Sequence, residues 1–426
     1  MVDVLIVGTG EYVTGFANDQ AADSDKSTGV VALVMLHLKA RNKVNRIAMC
    51  GTNGNKMPKV RAHMQAALAK YEKINPSCIQ TFPPDNTVDP EAYLEAVNTF
   101  KSGDCAIIFT PDDTHFAIAK ACLTQGMHVM ITKPPVQSLD QHNELATMSN
   151  VFERLCVVEV HKRFDPIYVD ARDRIASMGD FSFFNSYMSQ PKHQLDTFKA
   201  WAGRSSDISY YLNSHHVDFH EWCVRGFARP ESVTAFYSNG VASQRLGVET
   251  EDTITLVVQW RNRNDDSFQG GSVGHATYTA SWIAPKSDVH SQQRWFYMGQ
   301  KGELSVDQAH RGYSGSTDDA GFGSINPLFW KPTRDATTGE FSGHRCYGYI
   351  SFEAFIDAAT RCNTQEKHFR DFDTELPSLN STSGATAILE AGRLSLDNGG
   401  RAFDILYYND ATAEPRGIRP RIINPA

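Results

Sequence analysis

The chain opens with short apolar runs set between helical patterns. Residues 4–7, 46–50, 106–109, 128–131 and 156–160 are runs of this kind, bounded by glycine, proline or polar residues, and they read as buried strands. Between them, apolar positions recur at helical spacing over 30–38, 91–100, 116–123 and 138–152. The helix ends are marked as well. Asp89-Pro90 supplies a capping residue and a first-turn proline, Thr114 is placed to cap 116–123, Gly126 stops that helix, and Ser138-Leu139-Asp140-Gln141 has the form of a capping box. Strand alternating with helix predicts a parallel sheet with right-handed crossovers, whose strands end at a ligand crevice.

Further along, the period changes to two. Residues 253–260, 275–282 and 294–298 alternate faces, and Gly299-Gln300-Lys301-Gly302 turns into 303–306. This predicts a large, mostly antiparallel open sheet in a second, α+β domain, one face on helices and the other available to another subunit. Two helical patterns close the chain, 352–359 and 383–396. The expected domains are 1–160, 161–380, and a segment 381–426 whose helix returns to the first domain. Residues 312–343, rich in glycine, serine and aspartate with an aromatic centre at 326–332, read as an excursion from the sheet, with packing preferred to a substrate cover.

Composition narrows the partners. The chain has 426 residues, is 41% hydrophobic and 21% charged, and carries a formal charge of -8, which argues against nucleic acid or an anionic membrane as the main partner. No apolar stretch is long enough to span a membrane, and the first residues do not form a basic leader with an apolar core. Eight cysteines without a C-x-x-C pair read as reduced thiols, hence a cytoplasmic-type compartment.

The candidate chemistry sits where the strands end. After the first strand comes Gly8-Thr9-Gly10-Glu11-Tyr12-Val13, a glycine turn that lets backbone amides approach a pyrophosphate; Val13 stands where a third glycine is common, and Gly15 follows. The second strand ends without the acidic residue that would bind an adenosine ribose. Thr52 and Asn53 can bond a bare ribose, while Lys56 or Arg61 can neutralise a 2′-phosphate, so the cofactor is read as NAD(P) with both forms open. The polar segment 18–27 lengthens the first crossover, as a surface loop or else as a lid or oligomer contact. Lys133 projects from the carboxyl end of 128–131.

Thr110-Pro111 with His115, the alanine-rich helix, Gly126-Met127-His128-Val129 and Lys133-Pro134 together resemble the glucose-fructose oxidoreductase and inositol dehydrogenase family, Gfo/Idh/MocA. There the motif is usually Glu-Lys-Pro; Thr132 replaces the glutamate. The resemblance spans nearly the whole chain and implies a Rossmann domain whose Gly8, Gly10, Glu11, Tyr12, Val13, Thr52, Asn53, Lys56, Thr110, Pro111, His115, Lys133 and Pro134 face the dinucleotide. His161-Lys162-Arg163-Phe164-Asp165-Pro166 is similar to the family's Asn-x-Arg-Phe-x-Pro, placing His161 and Arg163 near substrate or in the structural bridge. The family's Asp-x-x-x-His-x-x-Asp is matched at His215 and Asp218, with Tyr211 at the first position; at i, i+4 and i+7 the three share a helical face.

The expected chemistry is hydride transfer between nicotinamide and a secondary hydroxyl or ketone of a sugar, sugar derivative or cyclitol, the substrate class coming from the resemblance alone. His215 is read as proton acceptor, Lys133 as the group polarising the oxygen or relaying the proton, Asp218 as the orienting group, and Tyr211 and His216 as further substrate contacts. A homodimer or homotetramer through the second sheet is implied too. Two other classes stay open: a catalytically silent dinucleotide-binding sensor or structural protein, suggested by Val13, Thr132 and Tyr211, and a metal-dependent hydrolase using His216 and His220. The spacing identifies no third metal ligand, so no metal is assigned.

Overall fold

The computed structural model describes residues 1–422 except 18, 23–25, 72, 288, 290, 320, 330 and 345. It divides into two compact units. The first comprises Met1–Pro135, Glu144–Asp165 and Pro327–Leu379; the second comprises Val136–Asn143, Pro166–Asn326 and Asn380–Ala426.

The first unit is built on six parallel strands: β1 (Val2–Val7), β2 (Val44–Cys50), β3 (Gln80–Phe82), β4 (Cys105–Ile108), β5 (His128–Thr132) and β6 (Cys156–Glu159), in the order 3-2-1-4-5-6. The order reverses between β1 and β4, the switch point where such sheets place a dinucleotide. Val4, Leu5 and Ile6 of β1 and all of Cys105–Ile108 are shielded from solvent, because helices cover both faces of a parallel sheet.

The glycine turn leads into one helical turn, Glu11–Thr14, closed by Gly15 at φ 75°, and a two-rung hairpin pairs Phe16–Ala17 with Gln20–Ala21. The main crossover helix, Val31–Ala40, docks through Val30 N–H on the Tyr12 carbonyl at 2.8 Å. Within the expected 18–27 loop, Asn18 and residues 23–25 lie outside the described residues. Thr114 does not cap the next helix, His115–Thr124; it sits at helical dihedrals and donates its hydroxyl back to the Pro111 carbonyl at 2.7 Å.

A larger correction concerns 327–379. The sequence reading puts it in the second domain, yet it belongs to the first unit. Its helix Tyr347–Asn363 buries Phe352, Phe355 and Ile356 in the same core as Val4, Ile107 and Val157. The helix expected to return to the nucleotide domain, Ser383–Asp397, instead packs within the second unit, where Ile388 and Leu389 share a core with Val233 and Leu256.

The second unit carries eight strands: β7 (Phe181–Pro191), β8 (Ala228–Asn239), β9 (Glu251–Asn262), β10 (Val273–Ala284), β11 (Gln292–Gly299), β12 (Gly302–Asp307), β13 (Phe403–Tyr407) and β14 (Pro415–Pro420), ordered 12-11-7-10-9-8-13-14. All pairs are antiparallel except β7 with β10. One face buries Trp260, Tyr278, Trp295 and Phe184. The other carries a hydroxyl ladder: Thr255 with Thr279 at 2.9 Å, Thr253 to Ser281 at 2.9 Å, and Asn185 to Thr277 at 2.6 Å. Such cross-strand polar pairs suit a face outside the core. The excursion after β12 forms two small hairpins, Ser314–Thr317 with Gly321–Ser324 and Pro332–Arg334 with Phe341–His344.

Candidate active site and dinucleotide cradle

The turn after β1 separates two kinds of glycine. Gly8 has φ 121°, and a Cβ there would lie 2.1 Å from the Phe109 carbonyl oxygen, so the fold itself demands glycine. Gly10 is extended at φ -78°, ψ -171°, and a Cβ would meet nothing within 4 Å. Nothing within the chain requires a glycine at 10. A close backbone approach by a phosphate would, and this open cradle fits a dinucleotide. Beside it, Tyr12 stacks on Phe109 at 5.2 Å and 4°, forming a flat wall at the ends of β1 and β4. Val13 is 1% exposed and its side chain belongs to the core.

After β2, Thr52 is exposed and the side-chain Oδ1 of Asn53 accepts the Asn55 amide at 3.0 Å. Arg61 forks onto Asp85 at 3.0 and 2.5 Å and also donates to Thr81 at 3.0 Å. Its guanidinium is therefore engaged before any phosphate arrives. Burial lowers the pKa of the Lys56 ammonium, with Asp19 acting against it.

At the end of β4, Thr110-Pro111 runs into the turn Asp112–Thr114, and His115 is fully buried. Its Nδ1 lies 3.0 Å from the Pro134 carbonyl and its Nε2 2.9 Å from the Thr110 carbonyl. Both ring nitrogens face backbone, so His115 ties the loop after β4 to the loop after β5, and the expectation that it touches the cofactor is corrected. Lys133 follows β5 directly and is half-buried. Burial depresses its pKa to about 8, while Asp112 and Glu159 hold it up. A lysine in this range exchanges protons near neutrality.

His161 begins the turn after β6. Its Nδ1 lies 3.4 Å from Glu159 Oε2, and its ring stacks on Tyr347 at 5.5 Å and 17°. Arg163 is buried at 8% exposure. Sequence reasoning missed Glu159 and its partner Ser351, whose hydroxyl donates to Oε1 at 3.1 Å. An acidic residue closing an otherwise apolar strand is the available signal.

In the second unit, the segment carrying Tyr211 begins as a π-helix, Ser209–Asn213, before the α-helix Ser214–Val224. The wider π turn alters the angular spacing assumed from i, i+4 counting. Asp207, also missed, starts this segment: its Oδ1 accepts the Ser209 and Tyr210 amides at 2.8 and 2.9 Å, and burial raises its pKa to about 6. Tyr211 packs on Trp201 and Phe198 and accepts a hydrogen bond from Gln190 at 3.1 Å. His215 is half-buried and Asp218 is 3% exposed.

His216 is fully buried, 3.2 Å from the Tyr168 hydroxyl, so its placement among substrate contacts is corrected. His220 is a core residue, stacked on Phe184 at 4.4 Å and 3° and 2.6 Å from the Tyr278 hydroxyl, and burial keeps it well below the usual histidine range. Among the described residues, no group of three or more His, Cys, Asp or Glu is arranged to hold a metal. A cavity of ≈ 720 Å³ lies in this unit, lined by Asp207, Tyr210, Tyr237, Glu251, Glu390 and Arg393 among others. It contains none of the expected catalytic residues, and its Arg393 is paired to Asp207, Glu251 and Asp397.

Residues 2–160 match the family model GFO_IDH_MocA, described as an oxidoreductase family with an NAD-binding Rossmann fold. Over those residues, fewer than half of the chain, the sequence is similar to that family. Over 193 residues the chain is 29% identical to the uncharacterized oxidoreductase YdgJ of Escherichia coli, covering 45% of this chain and 52% of that protein. Over 242 residues it is 24% identical to the scyllo-inositol 2-dehydrogenase (NADP(+)) IolW of Bacillus subtilis, covering 56% and 62%. The chain thus spans about half to three-fifths of these curated relatives. The fold extends further than the sequence match. An inositol dehydrogenase homolog from Azotobacter vinelandii, solved with NADH and myo-inositol, aligns with a TM-score of 0.63 at 16% identity over 95% of this chain and 97% of that one. The similarity is in keeping with the strand order 3-2-1-4-5-6 of the first unit. Among the described residues, no helix is long and apolar enough to cross a membrane.

Proposed function

We propose that this chain is an NAD(P)-dependent oxidoreductase acting on a secondary hydroxyl or ketone of a sugar, sugar derivative or cyclitol. The observation that carries the reading is Lys133: a half-buried lysine at the carboxyl end of β5, next to the switch point, with its pKa brought down to about 8. When bound, the dinucleotide supplies the hydride acceptor or donor. Gly8 and Gly10 shape the cradle for its phosphates, and the Tyr12–Phe109 wall lies beside that cradle.

The chain's own task is the proton. Removing a hydride from a carbinol leaves a developing carbonyl, so the hydroxyl proton must pass to an acceptor of moderate pKa. We assign that role to His215, with Asp218 orienting the ring, Lys133 polarising the oxygen or relaying the proton, and Tyr211 bonding the substrate oxygen. The substrate class rests on the relatives: IolW is named a scyllo-inositol 2-dehydrogenase, and the Azotobacter structure holds myo-inositol. The open face of the second sheet is assigned to contact between copies of the chain.

A panel of inositols and sugars with NAD and NADP, read by absorbance of the reduced nicotinamide, tests the assignment. Lys133→Ala is expected to keep dinucleotide binding while turnover falls by roughly a thousandfold or more. Turnover retained in that variant removes the role of Lys133. Binding without turnover of any panel member by the unaltered protein favours the silent dinucleotide-binding reading instead.

A further inference from the structure

Lys133 lacks the acidic neighbour of the Glu-Lys-Pro pattern, since Thr132 precedes it. The sheet supplies another. Thr132 of β5 is paired in register with Glu159, the last residue of β6. In a parallel ladder, partnered residues project from the same face, and their strands run about 4.8 Å apart. A carboxylate on β6 at this rung therefore occupies nearly the region that one at 132 would.

Glu159 is held there from two sides. It is 3% exposed; Oε1 accepts the Ser351 hydroxyl at 3.1 Å and Oε2 lies 3.4 Å from His161 Nδ1. His161 is itself fixed against Tyr347 and Phe329, with ring centroids 5.5 Å away in both cases. Ser351 and Tyr347 come from one helix, Tyr347–Asn363, so that helix sets the position of the carboxylate. A buried carboxylate is tolerated when donors and a nearby cation compensate it. The donors are Ser351 and His161, and the cation in its field is Lys133. Asp112, on the turn after β4, raises Lys133 as well, and by more than Glu159 does; His115 ties that loop to the one after β5 through the Thr110 and Pro134 carbonyls.

We propose that Glu159, anchored by Ser351 and His161, is the positioning residue that stands in for the carboxylate missing at 132 and keeps the Lys133 ammonium charged at the end of β5. The proposal deepens the reading of Lys133 as the proton-handling lysine and rests on it. Glu159 does not itself touch the reacting atoms. Its loss makes the ammonium easier to deprotonate, so any activity that needs charged Lys133 falls off at a lower pH.

The test needs no substrate. Trace acetylation with acetic anhydride across a pH series, with the Lys133 peptide quantified by mass spectrometry, reads the titration of that amine in the full chain. The unaltered protein is expected to titrate near 8. Glu159→Gln retains an acceptor for Ser351 but loses the charge, and the midpoint is expected to drop by about one pH unit. The exchange Thr132→Glu with Glu159→Gln returns a carboxylate to the same rung and is expected to restore most of the drop; it also serves as the deciding variant if Glu159→Gln alone does not fold. An unmoved midpoint in folded Glu159→Gln overturns the proposal, as does an exchange protein that folds with a depressed midpoint. Because labelling is independent of turnover, it separates failure of this inference from failure of the oxidoreductase reading, which the Lys133→Ala assay decides.

Discussion

The two units treat their histidines and charges in opposite ways. In the first, polar side chains gather at the carboxyl ends of β4, β5 and β6. There His115 pins two loops through backbone carbonyls, and Glu159 sits beside Lys133. In the second, two of the three histidines on the helix Ser214–Val224 are spent on packing: His216 against Tyr168 and His220 between Phe184 and Tyr278. Only His215 of that trio is not fully buried. A helix with three histidines thus leaves one of them partly exposed, whereas the strand ends carry a lysine in the field of two carboxylates.

The sharpest way to break this contrast is to replace two histidines of that helix in turn. His215→Asn is expected to lower turnover by roughly a hundredfold to ten-thousandfold while leaving the melting temperature near its original value. His220→Ala is expected to cost about 2 to 4 kcal/mol of stability through the cavity it leaves, read by denaturant unfolding. If His220→Ala instead leaves stability unchanged and abolishes turnover, the division between packing and chemistry on this helix is wrong.

The glycines give a parallel test in the first unit. Gly8→Ala forces a left-handed backbone and a clash with Phe109, with an expected loss of about 1 to 3 kcal/mol or outright misfolding. Gly10→Ala is expected to melt like the original protein and to bind dinucleotide at least about tenfold more weakly, measured by calorimetry, since only the ligand's approach is blocked.

Acid should destabilise both units through their buried histidines. His37 and His128 of the first unit are held neutral by burial at about 4, and His344 at about 3, against 6.5 for the free side chain. The unfolded chain therefore binds more protons between pH 6.5 and about 4, and the first unit loses stability as pH falls through that window. In the second unit burial likewise holds His220 well below its usual range, so it too destabilises the fold in acid, while Asp207, raised to about 6, binds its extra proton in the folded form between 6 and 3.8 and works the other way. Five of the six tryptophans, Trp201, Trp222, Trp260, Trp282 and Trp295, lie in the second unit. On titration from pH 7 to 4, the denaturant midpoints read by far-ultraviolet dichroism and by tryptophan fluorescence are both expected to fall; a midpoint that does not move would contradict the assignment.

The smallest expected effect concerns cofactor choice. Asp85→Asn releases Arg61 and should raise the preference for NADP over NAD by no more than about fivefold, the ceiling set by an exposed ion pair. Equal kinetics for both forms before and after would leave Arg61 without influence.

Much of the first unit was legible because its strands are buried on both faces and read as unbroken apolar runs; 105–108 and 128–132 fall within a residue or two of their expected ends. Lys133 was legible for the same reason, since a strand end fixes where the next side chain goes. The destinations of the two late helices were not. Both 347–363 and 383–397 carry an apolar stripe, and a stripe states that a helix packs without naming its partner. Glu159 escaped because its meaning lies in Ser351, 192 residues away. His115 was misread because its spacing from Pro111 looks the same whether the ring faces a ligand or a carbonyl.

The helix Tyr347–Asn363 has a consequence for how the protein is made. On the ribosome, at about 5 to 20 residues per second, the sheet finished at residue 159 waits roughly ten to forty seconds for the segment that seals its core. During that interval the seats of Phe352, Phe355 and Ile356 are bare oily surface on a nascent chain. Shielding by a chaperone, or a translational tempo tuned to the later codons, would then govern yield more than the stability of the finished molecule.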